Sequence, residues 1–126
     1  MSTPQWGEVW DVDFGNPVGH EQGKQRPAVV VTANWFNQTR AELHFVVPIS
    51  STIRGIGTHY RIDAPSGGLD IDSEAMCEHL RSVSRNRFVR KRGDLERPQM
   101  DEIAKRIKLL ILEVPPTRQR NREGSE

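Results

Sequence analysis

Two neighbouring runs decide the fold of this 126-residue chain: Gly7-Glu8-Val9-Trp10-Asp11-Val12-Asp13-Phe14, and Gly19-His20-Glu21-Gln22-Gly23-Lys24-Gln25-Arg26-Pro27-Ala28-Val29-Val30-Val31. The first run alternates along its length as a half-buried strand does. The second ends in a continuously apolar, β-branched segment, which is typical of a central strand buried on both faces. The polar loop between them is bounded by glycines and ends in Arg26. The pair therefore predicts a fixed cation at the mouth of a sheet.

Working outward, the sequence predicts a mainly β fold. Strands are expected at 28–32, 42–49 and 58–62, with one or two more in 73–83; Pro27 should open the first and Pro48 should stop the second. One convincing helix begins at Arg97, and its apolar stripe consists of Ile103, Ile107, Leu110 and Ile111. Five or six short strands and a terminal helix indicate a small, strongly bent antiparallel barrel.

Composition limits the size of the core and suggests a compartment. Apolar residues make up 35% of the chain and charged residues 28%, which predicts one domain with a modest core over 1–114. The polar stretch 115–126 is expected to be a disordered tail. Cys77 is the single cysteine, the start resembles no signal peptide, and no apolar run approaches the roughly 20 residues that span a bilayer. We expect a cytoplasmic protein that does not enter a membrane.

The charge of the chain is unevenly distributed. The net charge is only +1, but residues 1–80 hold 5 Lys/Arg and 10 Asp/Glu, whereas residues 81–126 hold 13 and 7. Five of the eight residues in 85–92 are basic. Such a patch attracts a polyanion even when the total charge is near zero. A solvated surface explains the same run equally well, and both interpretations stay open.

Several kinds of chemistry have no motif here. The four histidines are scattered and the cysteine has no pair, so no metal-ligand spacing is present; Gly67-Gly68 is not a phosphate loop, and no nucleophile elbow occurs. No cofactor is expected. Metal-free chemistry on an anion remains, and RNA permits it because its own 2′-hydroxyl can attack the adjacent phosphate. The protein then needs to position the backbone, move protons and stabilise negative charge.

The chain resembles the MazF/PemK toxins, which are small bacterial endoribonucleases. The opening runs carry the resemblance, and two later blocks follow in the same order: Val46-Val47-Pro48-Ile49-Ser50-Ser51 and Cys77-Glu78-His79-Leu80-Arg81-Ser82-Val83. The resemblance implies an SH3-like barrel that pairs as a homodimer. It also implies a sequence-specific toxin that cuts single-stranded RNA or mRNA without metal, leaves a 2′,3′-cyclic phosphate and a 5′-hydroxyl, and halts translation. An acidic, MazE-like antitoxin would restrain it.

The resemblance also suggests which residues form the site. Arg26 occupies the position of the family's catalytic arginine, and its planar fork suits two phosphate oxygens. Ser50 replaces the family's catalytic threonine and keeps its hydroxyl. A surface ion pair for Arg26 and a turn cap for Ser50 are the structural alternatives. Further RNA-binding candidates are His20, Glu21, Gln22, Lys24, Ser51, Glu78, His79 and Arg81. Met76 stands where the PemK/Kid branch carries a second arginine, so the chain is closer to the MazF branch.

Two other functions remain possible at this point. The same barrel serves the gyrase-poisoning CcdB toxins, although the presence of Arg26 and Ser50 argues against that function. A non-catalytic RNA- or protein-binding module on an SH3-like barrel would also fit the pattern, and it would bind RNA without cutting it.

Overall fold

The computed structural model describes residues 2–15, 19 and 24–113. Within these residues the chain forms seven strands, two α-helices and three short 3-10 turns. The strands are β1 (Glu8–Asp13), β2 (Gln25–Val30), β3 (Leu43–Ser50), β4 (His59–Ile62), β5 (Ser73–Met76), β6 (Arg81–Ser84) and β7 (Phe88–Asp94). The helices are α1 (Asn34–Asn37) and α2 (Arg97–Ile111). The prediction of a mainly β fold with a C-terminal helix is confirmed.

All strand pairs are antiparallel, and the strand order is β4-β5-β3-β2-β1-β7. β3 has two partners on one edge. Its first half, 43–46, pairs with β6, and its last two residues, 49–50, pair with β5. The turn Cys77–His79 joins β5 to β6 where these two partners diverge. The fold thus places the end of β3 beside this turn.

Two apolar clusters lie on opposite faces of the central strands. Val9, Val29 and Val47 pack in one cluster with the start of α2, while Trp10, Ala28 and Val46 pack in the other. Neighbouring residues of one strand point to opposite faces, so this alternation means that both faces of β2 are covered. The prediction that β2 is buried on both faces is confirmed.

Several predicted boundaries were wrong. β2 begins at Gln25, so Pro27 lies inside the strand opposite Asp11. β3 runs through Pro48 to Ser50. Each proline faces an unpaired edge, where its missing N–H does least harm. Pro27 has no partner on β3, because β3 pairs with β2 only from Ala28 onward. Pro48 pairs with β2 but has no partner on β5 or β6.

Helix α2 covers the core with only part of its apolar stripe. Ile103 is fully buried and Ile107 is partly buried, but Leu110 is 44% and Ile111 68% exposed. The second half of the stripe therefore has no cover within the part of the chain that the structure describes.

β7 was not predicted, because its sequence reads as a basic surface run. In the structure its cations have protein partners. Arg90 Nε and Arg92 Nε lie 2.9 and 2.6 Å from the two carboxylate oxygens of buried Asp11, and Lys91 Nζ lies 3.2 Å from both Glu8 and Asp94. The paired carboxylate of Asp11 raises the pKa of Arg92. Much of the basic charge in 85–92 is thus used to attach β7 to β1.

The remaining two arginines of the basic run also contact the protein. Arg85 donates to the buried His44 ring at 3.2 Å and to the Asn37 carbonyl at 2.9 Å, and Arg87 donates to the Asp13 carbonyl at 3.3 Å. Burial and the charge of Arg85 lower the pKa of His44, which suits a neutral ring that accepts from Arg85. These contacts give 85–92 a structural role that neither sequence interpretation, the polyanion patch or the solvated surface, included.

Replacing Arg92 with glutamine should destabilise the protein. Asp11 would keep only one of its two cations in a buried position, which should lower the free energy of unfolding by about 1–3 kcal/mol. Arg97→Gln is the matched control, because Arg97 pairs with Asp101 on an exposed helix face, and exposed pairs contribute only about 0–1 kcal/mol. Urea unfolding measures both variants. Equal effects would contradict a structural role for the Arg92–Asp11 pair.

Candidate functional site

A groove of about 490 Å³ lies at the end of β3, beside the β5–β6 turn. Strand β3 contributes the hydroxyl of Ser50 and β2 contributes the cation Arg26. The β5–β6 turn contributes the acidic side of the groove, Glu78. Its lining residues are Arg26, Ser50, Thr52, Arg54, Ile56, His59, Met76, Glu78 and His79. The structure therefore brings together four residues that were predicted from separate parts of the sequence: Arg26, Ser50, Glu78 and His79.

Arg26 is held within β2, opposite Val12 of β1. Its Nε atom is buried, and it has no hydrogen-bond partner among the described residues. A buried donor without an acceptor is costly, and a guanidinium is well suited to an anionic oxygen. Arg26 also lines a second cavity of about 280 Å³ with Gln25 and Ser51. The arginine thus stands between two cavities that could hold successive parts of an anionic ligand.

Ser50 is the last residue of β3 and lies directly opposite Glu74 on β5. Its Oγ accepts a hydrogen bond from the backbone N–H of Thr52 at 3.1 Å. The oxygen therefore caps the turn, as the structural alternative predicted. The hydroxyl hydrogen has no acceptor in the described part of the chain, and it can still be donated to a ligand.

Glu74 is a buried carboxylate with three hydrogen-bond donors. It accepts from the backbone N–H groups of Arg54 and Gly55 at 3.0 and 2.9 Å, and its Oε1 lies 2.8 Å from His59 Nδ1. Burial opposes ionisation, but these hydrogen bonds outweigh it and lower the pKa of Glu74 to about 2. This carboxylate therefore ties the segment after β3 to β5 and β4.

Glu78 lies on the other side of the same histidine. His59 Nε2 is 2.7 Å from Glu78 Oε2, and the Thr58 hydroxyl donates to Glu78 Oε1 at 2.8 Å. The pKa of Glu78 is lowered, because hydrogen bonds from His59 and Thr58 overcome the effect of burial. His79 Nε2 is 3.7 Å from the same carboxylate. The acidic side of the groove is thus an ordered network.

The other predicted site residues have different locations. Ser51 lies in the smaller cavity beside Arg26. Lys24 is exposed, and its backbone closes the described ends of the β1–β2 loop through bonds with Phe14 and Gly15. The Arg81 guanidinium lies 5.2 Å from the centre of the Phe14 ring and does not line the groove. His20, Glu21 and Gln22 lie outside the described residues.

Sequence reasoning missed Glu74, His59 and Arg54. In the sequence His59 is one of four scattered histidines, and only the pairing of β4 with β5 and the turn after β5 bring it next to two carboxylates. The signal that could have found Glu74 is an acidic residue within the otherwise uncharged stretch Ser73-Glu74-Ala75-Met76-Cys77. Charged residues are rarely buried unless they are paired.

Residues 2–15, 19 and 24–113 contain no group of three or more His, Cys, Asp or Glu side chains arranged to hold a metal ion. None of the described helices is long and apolar enough to cross a membrane. For an anion the groove offers Arg26, Arg54 and the Ser50 hydroxyl. For a hydrogen-bond donor it offers the Glu78 carboxylate.

The chain is similar to proteins of one toxin family. The family model of the PemK-like, MazF-like toxins of type II toxin–antitoxin systems matches residues 5–111. Endoribonuclease MazF9 of Mycobacterium tuberculosis is 32% identical over 108 residues, which cover 82% of this chain and 92% of that protein.

Two solved structures share the fold. MazF from Deinococcus radiodurans has a TM-score of 0.78 at 23% identity, with 88% of this chain and 98% of that chain covered. A mycobacterial endoribonuclease, solved in complex with its cognate antitoxin, has a TM-score of 0.71 at 18% identity, with 89% and 99% covered.

Proposed function

Because the chain belongs to the PemK-like, MazF-like toxins of type II toxin–antitoxin systems, we propose that it cleaves single-stranded RNA in the groove around Arg26 and Ser50. The activity is that of a sequence-specific endoribonuclease, and cutting mRNA inhibits translation. The relative MazF9 is named an endoribonuclease, which supports this activity. The observation that carries the assignment of the site is the buried Nε of Arg26, which has no hydrogen-bond partner among residues 2–15, 19 and 24–113 and lies in the same groove as the Ser50 hydroxyl.

The chemistry needs no group beyond the RNA and the protein. The 2′-hydroxyl gives up its proton as its oxygen attacks the adjacent phosphorus, the bond from phosphorus to the 5′-oxygen breaks, and the leaving oxygen takes up a proton, so no net proton is consumed. The pentacoordinate phosphate gains negative charge, which a guanidinium in a partly buried site stabilises. Arginine keeps its charge at every working pH, so Arg26 acts as an electrostatic clamp. The Ser50 hydroxyl donates to a phosphate oxygen and orients it.

The proposed mechanism predicts the ends of the cut RNA. In EDTA, purified protein should leave a 2′,3′-cyclic phosphate on one fragment and a 5′-hydroxyl on the next, because the nucleophile belongs to the substrate. A substrate with 2′-deoxyribose at the cut position should stay intact. End mapping by mass spectrometry reads both results. Cleavage of the deoxy substrate would exclude this mechanism, and RNA that is bound but never cut would indicate a non-catalytic RNA-binding module.

Arg26→Ala should slow cleavage much more than it weakens binding. Loss of the clamp removes about 3–5 kcal/mol of transition-state stabilisation, or roughly 10²- to 10⁴-fold in rate. Arg26→Lys should rescue poorly, because a point charge cannot reproduce the two-pronged contact. Ser50→Ala should cost less, and Ser50→Thr should be tolerated. Single-turnover rates and fluorescence anisotropy separate the two effects.

The control for charge is Arg40→Ala, which removes an exposed arginine away from the groove. It should cut RNA at the parental rate, and thermal melting should show that every variant is folded. An Arg26→Ala protein that cuts as fast as the parent would move the catalytic site elsewhere.

The proposed partners follow the same assignment. RNA-binding roles are proposed for Lys24, Ser51, Glu78, His79 and Arg81, together with His20, Glu21 and Gln22 of the β1–β2 loop. A cognate antitoxin, acidic and MazE-like, would order on binding and cover the groove. The existence of a mycobacterial relative in complex with its antitoxin supports this. Cytoplasmic location is part of the proposal, since the substrate is mRNA.

We further propose that the protein is a homodimer formed through the second half of α2. Leu109, Leu110 and Ile111 are all more than 40% exposed, and a largely apolar cavity of about 400 Å³ lies between this end of α2 and Ile56. Contiguous exposed apolar surface of this kind marks an interaction site. Ile56 also lines the groove, so the second copy would sit at its border.

Leu110→Glu should convert the dimer to a monomer at micromolar concentration, because it places a charge in the shared apolar surface. Lys105→Glu is the control, since Lys105 is exposed on α2 and does not line the cavity; it should remain dimeric. Sedimentation velocity measures both, and circular dichroism checks folding. A parental protein that is monomeric and still cuts RNA would contradict the dimer.

A further inference from the structure

The side chains of Glu74, His59 and Glu78 form a hydrogen-bonded triad, with His59 between the two carboxylates. The triad extends from the interior to the groove. His59 Nδ1 faces Glu74 at 2.8 Å and His59 Nε2 faces Glu78 at 2.7 Å. The His59 and Glu74 side chains are 3% and 4% exposed, whereas that of Glu78 is 33% exposed. Glu78 is therefore the member of this triad that a ligand in the groove reaches most easily.

The hydrogen-bond geometry determines which partner donates. An ionised carboxylate only accepts, and a neutral imidazole donates from one nitrogen only. With Glu74 and Glu78 both ionised, the His59 ring satisfies both contacts only when both nitrogens carry a proton. In that arrangement the ring donates to both carboxylates, and Glu78 is held as an acceptor.

Glu78 retains acceptor capacity on the groove side. Each of its oxygens takes one hydrogen bond, from Thr58 and from His59. A carboxylate offers about four lone-pair positions, so about two remain, and the carboxylate lines the groove. It repels phosphate oxygens and attracts N–H groups. In a groove for RNA, the N–H groups belong to the bases.

We propose that Glu78 selects an amino-bearing base, namely cytosine, adenine or guanine, at one nucleotide of the bound RNA, and that His59 and Glu74 are its positioning residues. This inference rests on the RNA-cleaving function proposed above. A carboxylate accepts from an exocyclic amino group, whereas uracil presents carbonyl oxygens on both sides of its single N–H. The expected discrimination against uracil at that nucleotide is roughly 10- to 100-fold.

Glu74 acts through His59 and through the chain after β3. Its Oε1 faces Nδ1 of the ring, and the backbone N–H groups of Arg54 and Gly55 bind the same carboxylate. Glu74→Gln removes the negative charge beside Nδ1, so His59 donates less well to Glu78. Selectivity should then weaken at the same nucleotide that Glu78 contacts. A merely structural role would lower activity at every sequence alike.

The experiment compares cleavage of an RNA pool randomised at the positions flanking the cut. The parent and the control Glu42→Gln, an exposed carboxylate away from the groove, should reject uracil at one position by about tenfold or more. Glu78→Gln should lose that rejection, because its carboxamide can donate to the uracil carbonyl. Glu74→Gln should shift the preference in the same direction.

A second measurement applies if Glu78→Gln does not fold or cut. In an RNA that the parent cleaves, the amino-bearing base is replaced by an analogue without the amino group, such as purine for adenine or inosine for guanine. The parent kcat/KM should fall about tenfold at one position. Binding of the same RNAs to Arg26→Ala measures the preference without cleavage.

The outcomes are distinct. Two results would overturn the inference and leave the cleavage function intact. One is that removal of the amino group from the RNA base has no effect at any position. The other is that the Glu78→Gln protein cuts with the parental base preference. A parent that cuts no RNA would overturn the proposed function; the binding measurement would still decide whether Glu78 selects the base.

Discussion

The structure depends on one strand, β3, pairing with two different strands along a single edge. Residues 43–46 pair with β6 and residues 49–50 pair with β5, so the edge is unpaired at Val47 and Pro48. Proline lacks the N–H that a paired strand would use, and here that loss coincides with the gap. The divergence of β5 from β6 opens a space beside Ser50. The turn that joins them closes one side of this space with Glu78.

Much of the fold could be predicted because it is written in local patterns. The alternation of Val9 to Phe14 and the apolar segment after Pro27 predict β1 and β2, and the apolar stripe that follows Arg97 predicts α2. β7 could not be predicted, because its cations look like a solvated run until Asp11, far away in sequence, is placed between Arg90 and Arg92. Which half of the α2 stripe is buried also depends on tertiary packing that the stripe itself does not encode.

The candidate site, like the fold, has a part that the sequence could predict and a part that it could not. Arg26, Ser50 and Glu78 could be found because resemblance points to single positions in short motifs. His59 and Glu74 could not, since their roles arise from the register of β4 and β5, which sets His59 opposite Met76 and Arg61 opposite Glu74. Residue type alone would predict that Glu74 is exposed to solvent, whereas the structure buries it. Only the convergence of two backbone N–H groups and a ring nitrogen makes its position favourable.

The hydrogen bonds from Arg54 and Gly55 to Glu74 affect how the protein can be controlled. They hold the segment after β3 in place in the free chain, so the groove already has its shape before any ligand arrives. A preorganised surface avoids the entropy that ordering a loop would cost on binding. An inhibitor that occupies this groove would meet the same preorganised surface, so its binding would avoid that entropy cost too.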